Sequence, residues 1–276
     1  MRAMSARPLI SLLTDFGARD PSGAICHGVI SGICPDATVI HISHEVTKYA
    51  IRDGALMLWC ALPYFPVGTH VAVVDPGVGT ARRPVALKTG RGDVLIGPDN
   101  GLLRPAARRL GDVVSAVELT SEAHRLHPVS TSFHGRDIFA PAAAHLAAGV
   151  PLEDLGPAVD PLTLVDLVIP DAQPLANGLT SSVIYIDTFG NCKLAGLRSD
   201  LEATVGLMQS GRPVRIADDG GSARELVWAD TFGDVEPGQA MLYVDSYDRL
   251  TLAVNQGNAA VALGLIQDQS ISIRVA

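Results

Sequence analysis

The sequence lacks the features that define several large classes of protein. Its four cysteines are scattered over 276 residues without a CxxC pair, a pattern that predicts a reducing compartment and no disulfide framework. The N-terminus lacks the apolar core of a signal peptide, and no apolar run reaches the roughly 18 residues that a membrane-spanning helix needs. We therefore expect a soluble, cytoplasmic protein without a membrane partner.

Positive charge is also scarce. The chain has 21 Lys and Arg residues against 29 Asp and Glu residues, which gives a formal net charge of −8 at pH 7. This balance argues against binding to a phosphate backbone, so no nucleic-acid partner is expected, whereas a cationic small ligand is compatible with it. Hydrophobic residues make up 47% of the chain and charged residues 18%, as in a compact protein of one large or two modest domains.

The two halves of the chain differ in their hydrophobic periodicity. In the first half, strand patterns such as Leu9–Thr14 alternate with helix patterns such as 50–62, which indicates a mainly parallel sheet with helices on both faces. Short β-rich runs separated by turn residues fill the second half, as in a small barrel. The sequence therefore predicts an α/β fold, with an N-terminal mainly parallel α/β sandwich domain over 1–165, a linker over 166–177 and a smaller C-terminal antiparallel β-barrel domain over 178–276.

The most informative stretch is the apolar strand at 71–74 and the residues that follow it. This strand ends at Asp75, and Pro76-Gly-Val-Gly-Thr80 then leads to Arg82 and Arg83. Ligands of open α/β sheets bind where strands give way to loops at their carboxyl ends, so an ion pair of Asp75 with Arg82 suits a catalytic site there. A structural salt bridge is the alternative. The glycines match neither phosphate-loop nor dinucleotide-binding spacing.

Other polar residues of the first half have both a functional and a structural interpretation. His134 opens an Ala-rich helix whose dipole disfavours protonation of the ring, which suits a neutral imidazole beside a reacting water as well as a structural role. Asp15 ends the first strand and either binds a ribose diol or caps a turn. Asp20 and Ser22 are suited to capping the helix that follows them.

Neither a metal site nor a serine or cysteine nucleophile is indicated. His41 and His44 lie close together, but no HExxH or other strict ligand spacing surrounds them. The chain has no G-x-S-x-G elbow and no cysteine in a context that activates a thiol. We therefore expect no metal ion in the site.

The second half contributes a group of aromatic and amide side chains. Asp187 follows a strand, and Phe189 and Asn191 come directly after it. Together with Phe232, these side chains are able to enclose a purine ring, since aromatic rings stack on it and an amide pairs with its edge. Turn formation and core packing are the alternatives for these residues, and a turn role is equally open for Ser246.

Taken together and in order, these motifs resemble those of one enzyme family. From about residue 9 to residue 275 the chain is similar to the S-adenosyl-L-methionine (SAM) hydrolases that form adenosine, also called SAM hydroxide adenosyltransferases, which are related to the SAM-dependent fluorinases and chlorinases. The matching motifs are Thr14-Asp-Phe-Gly17, Ile33-Cys-Pro-Asp36 with His41-Ile-Ser-His-Glu45, Val74-Asp-Pro-Gly-Val-Gly79 with Arg82, Gly97-Pro-Asp-Asn-Gly-Leu102, Phe133-His-Gly-Arg-Asp137, His145-Leu-Ala-Ala-Gly149 and Asp187-Thr-Phe-Gly-Asn191.

The resemblance implies a role for each matching residue. The set that holds the attacking water falls on Asp75, Arg82 and His134, with Arg82 preferred to Arg83 by its spacing from Asp75. The ribose carboxylate falls on Asp15. The remaining contacts fall on Asp20, Ser22, Asp187 and Ser246 for the methionine end, on Phe189, Asn191 and Phe232 for the purine, and on Tyr49 for the pocket wall, where the fluorinases have Trp.

Three departures from the halogenases point to water as the nucleophile. Halogenases lack the counterparts of Asp75 and His134, and Val78 stands where the fluorinases bind halide through a hydroxyl. The resemblance implies cleavage of SAM at C5′ by water, giving adenosine and L-methionine, without a further cofactor. It also implies a homotrimer whose sites lie between the N-terminal domain of one subunit and the C-terminal domain of its neighbour. A SAM-dependent halogenase and a non-catalytic SAM- or adenosine-binding protein remain the alternatives.

Overall fold

The computed structural model describes residues 7–275. The chain forms two compact units, one that ends at Leu167 and one that begins at Val168. Within the described residues, no helix combines the length and the apolar character that crossing a membrane requires.

The first unit alternates strands and helices. Its elements are β1 (Leu9–Thr14), α1 (Ser22–Ile33), β2 (Thr38–Ser43), α2 (Ile51–Ala61), β3 (Thr69–Val73), β4 (Pro84–Thr89), β5 (Val94–Pro98), α3 (Arg104–Arg109), β6 (Val113–Glu118), a π-helical turn (Gly135–Phe139) and α4 (Ala140–Ala147).

One six-stranded sheet in the order β2-β1-β3-β5-β4-β6 forms the centre of this unit. Strands β2, β1, β3 and β5 run parallel, and β4 is antiparallel to both β5 and β6. Leu12 belongs to the core on the side of α1 and α4, and Leu13 to the core on the side of α2 and α3, because successive side chains of a strand point to opposite faces. The predicted mainly parallel α/β sandwich is confirmed.

The carboxyl ends of β1 and β3 lie side by side at one edge of this sheet. Thr14 is paired with Val73, and the amide of Asp15 donates a 3.3 Å hydrogen bond to the carbonyl oxygen of Val73. Asp15 and Asp75, which continue these two strands, are therefore neighbours at the edge where parallel α/β sheets bind ligands.

Strands predominate among the regular elements of the second unit. Its elements are β7 (Gln173–Leu175), β8 (Gly178–Ile186), β9 (Cys192–Leu197), α5 (Arg198–Val205), β10 (Pro213–Asp218), β11 (Ala223–Trp228), β12 (Ala240–Val244), β13 (Arg249–Val254), α6 (Ala259–Leu263) and β14 (Ser270–Val275).

Seven of these strands close into a barrel in the order β8-β9-β13-β12-β11-β10-β14 and back to β8. The predicted C-terminal β-barrel is confirmed. Its pairings are antiparallel except that of β11 with β12, which is parallel. Parallel neighbours cannot be joined by a tight hairpin, and residues 229–239 therefore carry the chain back along the barrel through a short 3₁₀ turn, Phe232–Asp234. Strand β7, within the segment 166–177, pairs with β8.

Candidate functional site

The loop after β3 folds back on itself. The amide of Val78 donates to the carbonyl oxygen of Asp75 at 3.2 Å, and that of Thr80 donates to the carbonyl oxygen of Gly77 at 3.2 Å. Gly79 has a φ of +76°, and a Cβ at this position would lie 2.4 Å from the carbonyl oxygen of Thr131. Only glycine combines this backbone conformation with so close an approach, and the two turns return the chain towards Asp75.

Arg82 links the carboxylate of Asp75 to the ring of His134. Its Nε lies 3.0 Å from each carboxylate oxygen of Asp75, its Nη2 also donates to Asp75 Oδ2, and the same Nη2 lies 2.7 Å from His134 Nδ1. Only 5% of the Asp75 side chain and 9% of the Arg82 side chain are exposed. The adjacent Arg83 binds elsewhere, with its Nε 2.9 Å from Asp99 Oδ2. The structure thus brings together the three residues predicted to hold the water.

The contact with Arg82 also fixes the protonation of His134. A guanidinium has only donors, so Nδ1 of His134 is the acceptor and the ring hydrogen of the neutral form lies on Nε2. Burial, and then the positive charge of Arg82, lower the pKa of His134 below its usual value. At neutral pH the ring is therefore uncharged, and its Nε2 is a hydrogen-bond donor.

His134 is held in place by the turn that begins α4. The carboxylate of buried Asp137 accepts from the amide of Ser130 at 2.8 Å and from Arg136 Nε at 2.6 Å, which ties the preceding loop to the helix. A Cβ at Gly135 would lie 3.1 Å from the ring of Phe16, so the backbone beside His134 approaches the end of β1 closely. The predicted Ala-rich helix is thus preceded by a π-helical turn at 135–139.

A cavity of about 90 Å³ opens beside this cluster in the first unit. Four predicted site residues line it: Asp15, Tyr49, Asp75 and His134. Asp15 Oδ2 accepts a 2.9 Å hydrogen bond from the amide of Tyr49, which has a φ of +64° and a side chain left 70% exposed. The further lining residues, which the sequence did not single out as site residues, are Phe16, Val73, Val78, Ser132, Phe133 and Gly135.

Asp20 and Ser22 do not line this cavity. The amide of Ser22, at the start of α1, donates a 2.9 Å hydrogen bond to Asp20 Oδ1. Hydrogen bonds from Ser22 hold the pKa of Asp20 below its usual value. This contact joins two residues at the start of α1, whose N-cap residue, Pro21, makes no side-chain capping hydrogen bond.

A larger cavity of about 730 Å³ lies in the second unit. It is lined by all five residues that the sequence assigned to substrate binding in this half: Asp187, Phe189, Asn191, Phe232 and Ser246. Residues of two separate chain segments around 190 and 245 therefore meet the crossover segment 229–239 in one place.

Within this larger cavity, Asp187 shapes the turn that presents its neighbours. Its Oδ1 accepts from the amides of Phe189 and Asn191 at 2.9 Å each, and its Oδ2 accepts from Asn191 Nδ2 at 3.0 Å. The ring of Phe189 is consequently 76% exposed at the cavity. An exposed aromatic face of this kind is able to stack on a planar ring.

Sequence reasoning missed several residues of the larger cavity. Lys193, Tyr243, Asp245 and Tyr247 also line it. Burial, and then the charges of Asp245 and Asp187, raise the pKa of Tyr243 to about 12, so its hydroxyl keeps its proton at neutral pH. The signal available in the sequence for Lys193 was its spacing of two residues from Asn191 at the start of β9, which places both side chains on the same face.

Metal binding and thiol chemistry find no support in the part of the chain that the structure describes. No three or more His, Cys, Asp or Glu side chains between residues 7 and 275 are grouped so as to hold a metal ion. His41 instead lies in a hydrogen-bonded row, 2.9 Å from His27 and 2.6 Å from His44. Burial raises the pKa of the Cys26 and Cys192 thiols to about 12, which leaves both protonated and weakly nucleophilic.

Comparison with known proteins places the chain in a family. The family models of the SAM hydroxide adenosyltransferase N-terminal and C-terminal domains match residues 10–156 and 181–272. A Salinispora tropica protein named (R)-S-adenosyl-L-methionine hydrolase is 48% identical over 262 residues, which cover 95% of this chain and 96% of that protein. A fluorinase of Nocardia brasiliensis is 32% identical over 296 residues, covering 98% and 97% of the two chains.

A solved structure agrees with this placement. The crystal structure of an uncharacterized conserved protein from Thermotoga maritima has a TM-score of 0.89 and 32% identity, and the match covers 96% of this chain and 99% of that one. The family models, the sequence relatives and the shared fold lead to one conclusion: the chain belongs to the SAM hydroxide adenosyltransferase family, as its motifs predicted.

Proposed function

We propose that the protein hydrolyses SAM at C5′ to adenosine and L-methionine. The observation that carries this proposal is the bridge that Arg82 makes between Asp75 and His134 beside a cavity at the carboxyl end of β3. Membership of the family and the similarity to a protein named SAM hydrolase support the same reaction.

The cluster offers both kinds of hydrogen bond that a reacting water needs. The Nε2–H of neutral His134 donates to the water oxygen, and the Asp75 carboxylate accepts one of its hydrogens. The new bond joins the water oxygen to C5′, while the C5′–S electron pair leaves on sulfur as a neutral thioether. The water proton passes to Asp75 as the C–O bond forms and then to solvent. Holding the water in line with the breaking bond supplies much of the acceleration.

Electrostatics favour this reaction in a buried site. A water that acquires hydroxide character approaches a cationic sulfonium, so charge is neutralised in the transition state. Interactions of this kind are stronger in a dry pocket than in bulk water. Arg82, whose Nη1 is buried without a hydrogen-bond partner among the described residues, would stabilise the developing negative charge. The proposed chemistry requires no metal ion or additional cofactor.

The remaining predicted residues would bind the three parts of the substrate. Asp15 would hold the ribose hydroxyls beside the wall formed by Tyr49. The purine would lie against Phe189 and Phe232 and pair with Asn191. Contacts to the methionine end are assigned to Asp20, Ser22, Asp187 and Ser246.

We further propose that the protein is a cytoplasmic homotrimer. The cavity of the first unit, about 90 Å³, is small for a nucleoside carrying an amino acid, and family resemblance assigns the rest of the site to a neighbouring subunit. The buried, protonated thiols of Cys26 and Cys192 suit a reducing compartment.

A SAM-dependent halogenase is the second candidate, because a fluorinase is among the relatives. Against this alternative, an anionic Asp75 beside the reacting carbon would repel halide, and Val78 offers no hydroxyl to it. Incubation of the purified protein with SAM, with and without chloride or fluoride, followed by chromatography of the nucleosides, decides between them. We expect adenosine at a rate that halide does not change. A halogenated nucleoside would establish the alternative, and an unchanged SAM pool would refute both enzymes.

A further inference from the structure

Lys193 and Asp245 form an ion pair at the wall of the larger cavity. Lys193 projects from β9, and its Nζ donates to Asp245 Oδ2. The side chains are 14% and 4% exposed. Lys193 is paired with Thr251 of the adjacent strand β13, and Asp245 directly follows β12, the strand on the other side of β13. Removal of one partner from so buried a pair leaves the other charge uncompensated, which is strongly destabilising.

Asp245 in turn builds the loop that connects β12 to β13. Its Oδ1 accepts hydrogen bonds from the amides of Tyr247 and Arg249 at 2.9 and 3.0 Å. Its carbonyl oxygen accepts from the amide of Asp248 at 3.1 Å, and Asp248 has a φ of +65°. The conformation of the whole loop 245–248 therefore depends on the orientation of one carboxylate.

Lys193 contacts this loop at a second point. Its Nζ lies 4.9 Å from the centroid of the Tyr247 ring, within the range of a cation–π interaction. One ammonium thus holds both the carboxylate that shapes the loop and the aromatic side chain at its far end. Among the described residues that line the cavity it is the only cationic side chain, against the acidic Asp187 and Asp245.

We propose that Lys193 is a positioning residue that fixes the loop 245–248, and with it Ser246, for binding of the amino-acid end of the substrate. Ser246 lies between the two residues that Lys193 contacts, and its side chain faces the same cavity. The inference rests on the proposed function, which assigns Ser246 to the methionine end. It adds a residue that neither the motifs nor that assignment includes.

Binding measurements with two unreactive ligands isolate this role. S-adenosyl-L-homocysteine carries the amino-acid end and adenosine lacks it. We expect Lys193→Met to weaken binding of S-adenosyl-L-homocysteine by about tenfold or more, because a hydrogen bond to a charged group is lost. Adenosine affinity should change less than about twofold. In steady-state assays with SAM, the same substitution should raise KM while kcat changes little.

Companion variants separate positioning from a general loss of structure. Lys193→Arg, which keeps both the charge and the cation–π contact, should restore part of the affinity, and Asp245→Asn should reproduce the loss. Lys88→Met, which removes an exposed lysine of β4, is the control and should bind both ligands normally. Thermal unfolding of each variant verifies that it is folded.

Two results would overturn the proposal. Equal weakening of both ligands by a folded Lys193→Met protein would mean that Lys193 supports the cavity as a whole. Unchanged binding of both ligands would mean that the loop does not depend on it. Because neither ligand reacts, these outcomes are independent of turnover. A wild-type protein that left SAM intact would refute the proposed hydrolysis alone.

Discussion

Asp75 and the side chains around it carry the chemistry that we propose. The carboxylate accepts three hydrogen-bond contacts from one guanidinium, so its orientation is fixed before substrate arrives. A preorganised charge of this kind contributes to catalysis without reorganisation during the reaction.

Removal of this carboxylate should therefore reduce turnover much more than it weakens the binding of SAM. We expect Asp75→Ala to lower kcat by at least about 100-fold, which is the usual effect of deleting one group that orients or polarises a reactant, while SAM still binds. Single-turnover assays and calorimetry measure the two quantities. Asp36→Ala, which deletes an exposed carboxylate, is the matched control. Full activity of Asp75→Ala would remove Asp75 from the mechanism.

The protonation state of His134 leads to a pH prediction. Burial and Arg82 lower its pKa, so the neutral ring that donates through Nε2 persists below its ordinary value of about 6.5. Activity should accordingly stay level as the pH falls through 6.5 and decline only in more acidic solution, as the ring gains a proton.

A rate profile between pH 4.5 and 8 tests this, with stability recorded at each pH. His134→Gln retains a donor but does not titrate, so it should be less active and should lack that acidic decline. A wild-type decline centred above pH 6.5 would contradict the neutral-histidine role.

The elements differ in how much of their geometry could be predicted from sequence. The apolar runs of β1 and β3 predicted two strands of a mainly parallel sheet, with Asp15 and Asp75 after their carboxyl ends, and the structure has these strands paired in parallel. The spacing of Arg82 from Asp75 favoured it over Arg83, and the turns of the intervening loop supply the physical reason.

Other features depend on contacts that sequence spacing does not contain. The pair of Lys193 and Asp245 joins residues 52 positions apart, and nothing local in the sequence links the one to the other. Closure of the barrel likewise requires the pairing of β8 with β14, strands at opposite ends of the second unit. The π-helical turn before α4 depends on buried Asp137 binding Ser130, another contact invisible in a hydrophobic pattern.

The loop between β3 and β4 provides a prediction at the level of elements. Gly79→Ala would place a methyl group 2.4 Å from the Thr131 carbonyl oxygen at a positive φ, so the loop must shift. We expect a loss of about 1–3 kcal/mol in the free energy of unfolding, together with a lower kcat, because Arg82 and His134 are joined across this contact.

Urea denaturation and kinetics measure both effects. Gly28→Ala is the control, since a Cβ there meets nothing within 4 Å and alanine in a helix is more stable than glycine by about 0.5–1 kcal/mol. If both variants had the same free energy of unfolding and the same kcat, the close approach of the loop to Thr131 would contribute to neither stability nor activity.

The first unit also contains a buried polar network that is separate from the cluster of Asp75, Arg82 and His134. His70 is fully buried, with its Nδ1 2.8 Å from Ser11 Oγ and its Nε2 3.1 Å from Asp93 Oδ1. Arg91 donates two further hydrogen bonds to Asp93. Burial acts to raise the pKa of Asp93, but the hydrogen bonds from His70 and Arg91 outweigh it and hold the pKa well below its usual value.

This network should make the first unit sensitive to acid. Because the pKa of Asp93 is lower in the folded state, its contribution to stability is complete above the unfolded value of about 3.9 and is lost as the pH falls towards the folded value. We expect Asp93→Asn to lower the free energy of unfolding by about 3 kcal/mol or more at pH 7 and by less at pH 3. Urea denaturation at both pH values measures the difference, and an equal cost at both would contradict this assignment.

Assembly is the remaining prediction at this scale. Sedimentation equilibrium should give a mass three times the 28.9 kDa of one chain. Dilution to the point of dissociation should reduce specific activity if each site draws residues from two subunits. A monomer with undiminished activity would refute both the trimer and the shared site.

The parallel pairing of β11 with β12 has a consequence for how the larger cavity of the second unit can change its specificity. The barrel must route the chain along residues 229–239, which lie outside the strand ladders although Ala229 and Val235 pack into a small core with Met241 and Ala253. Phe232, which we propose as a wall of the purine site, lies in this connection. An exchange of Phe232 itself leaves the strand pairings and this small core intact, because Phe232 belongs to neither, so base preference is open to redesign at that position.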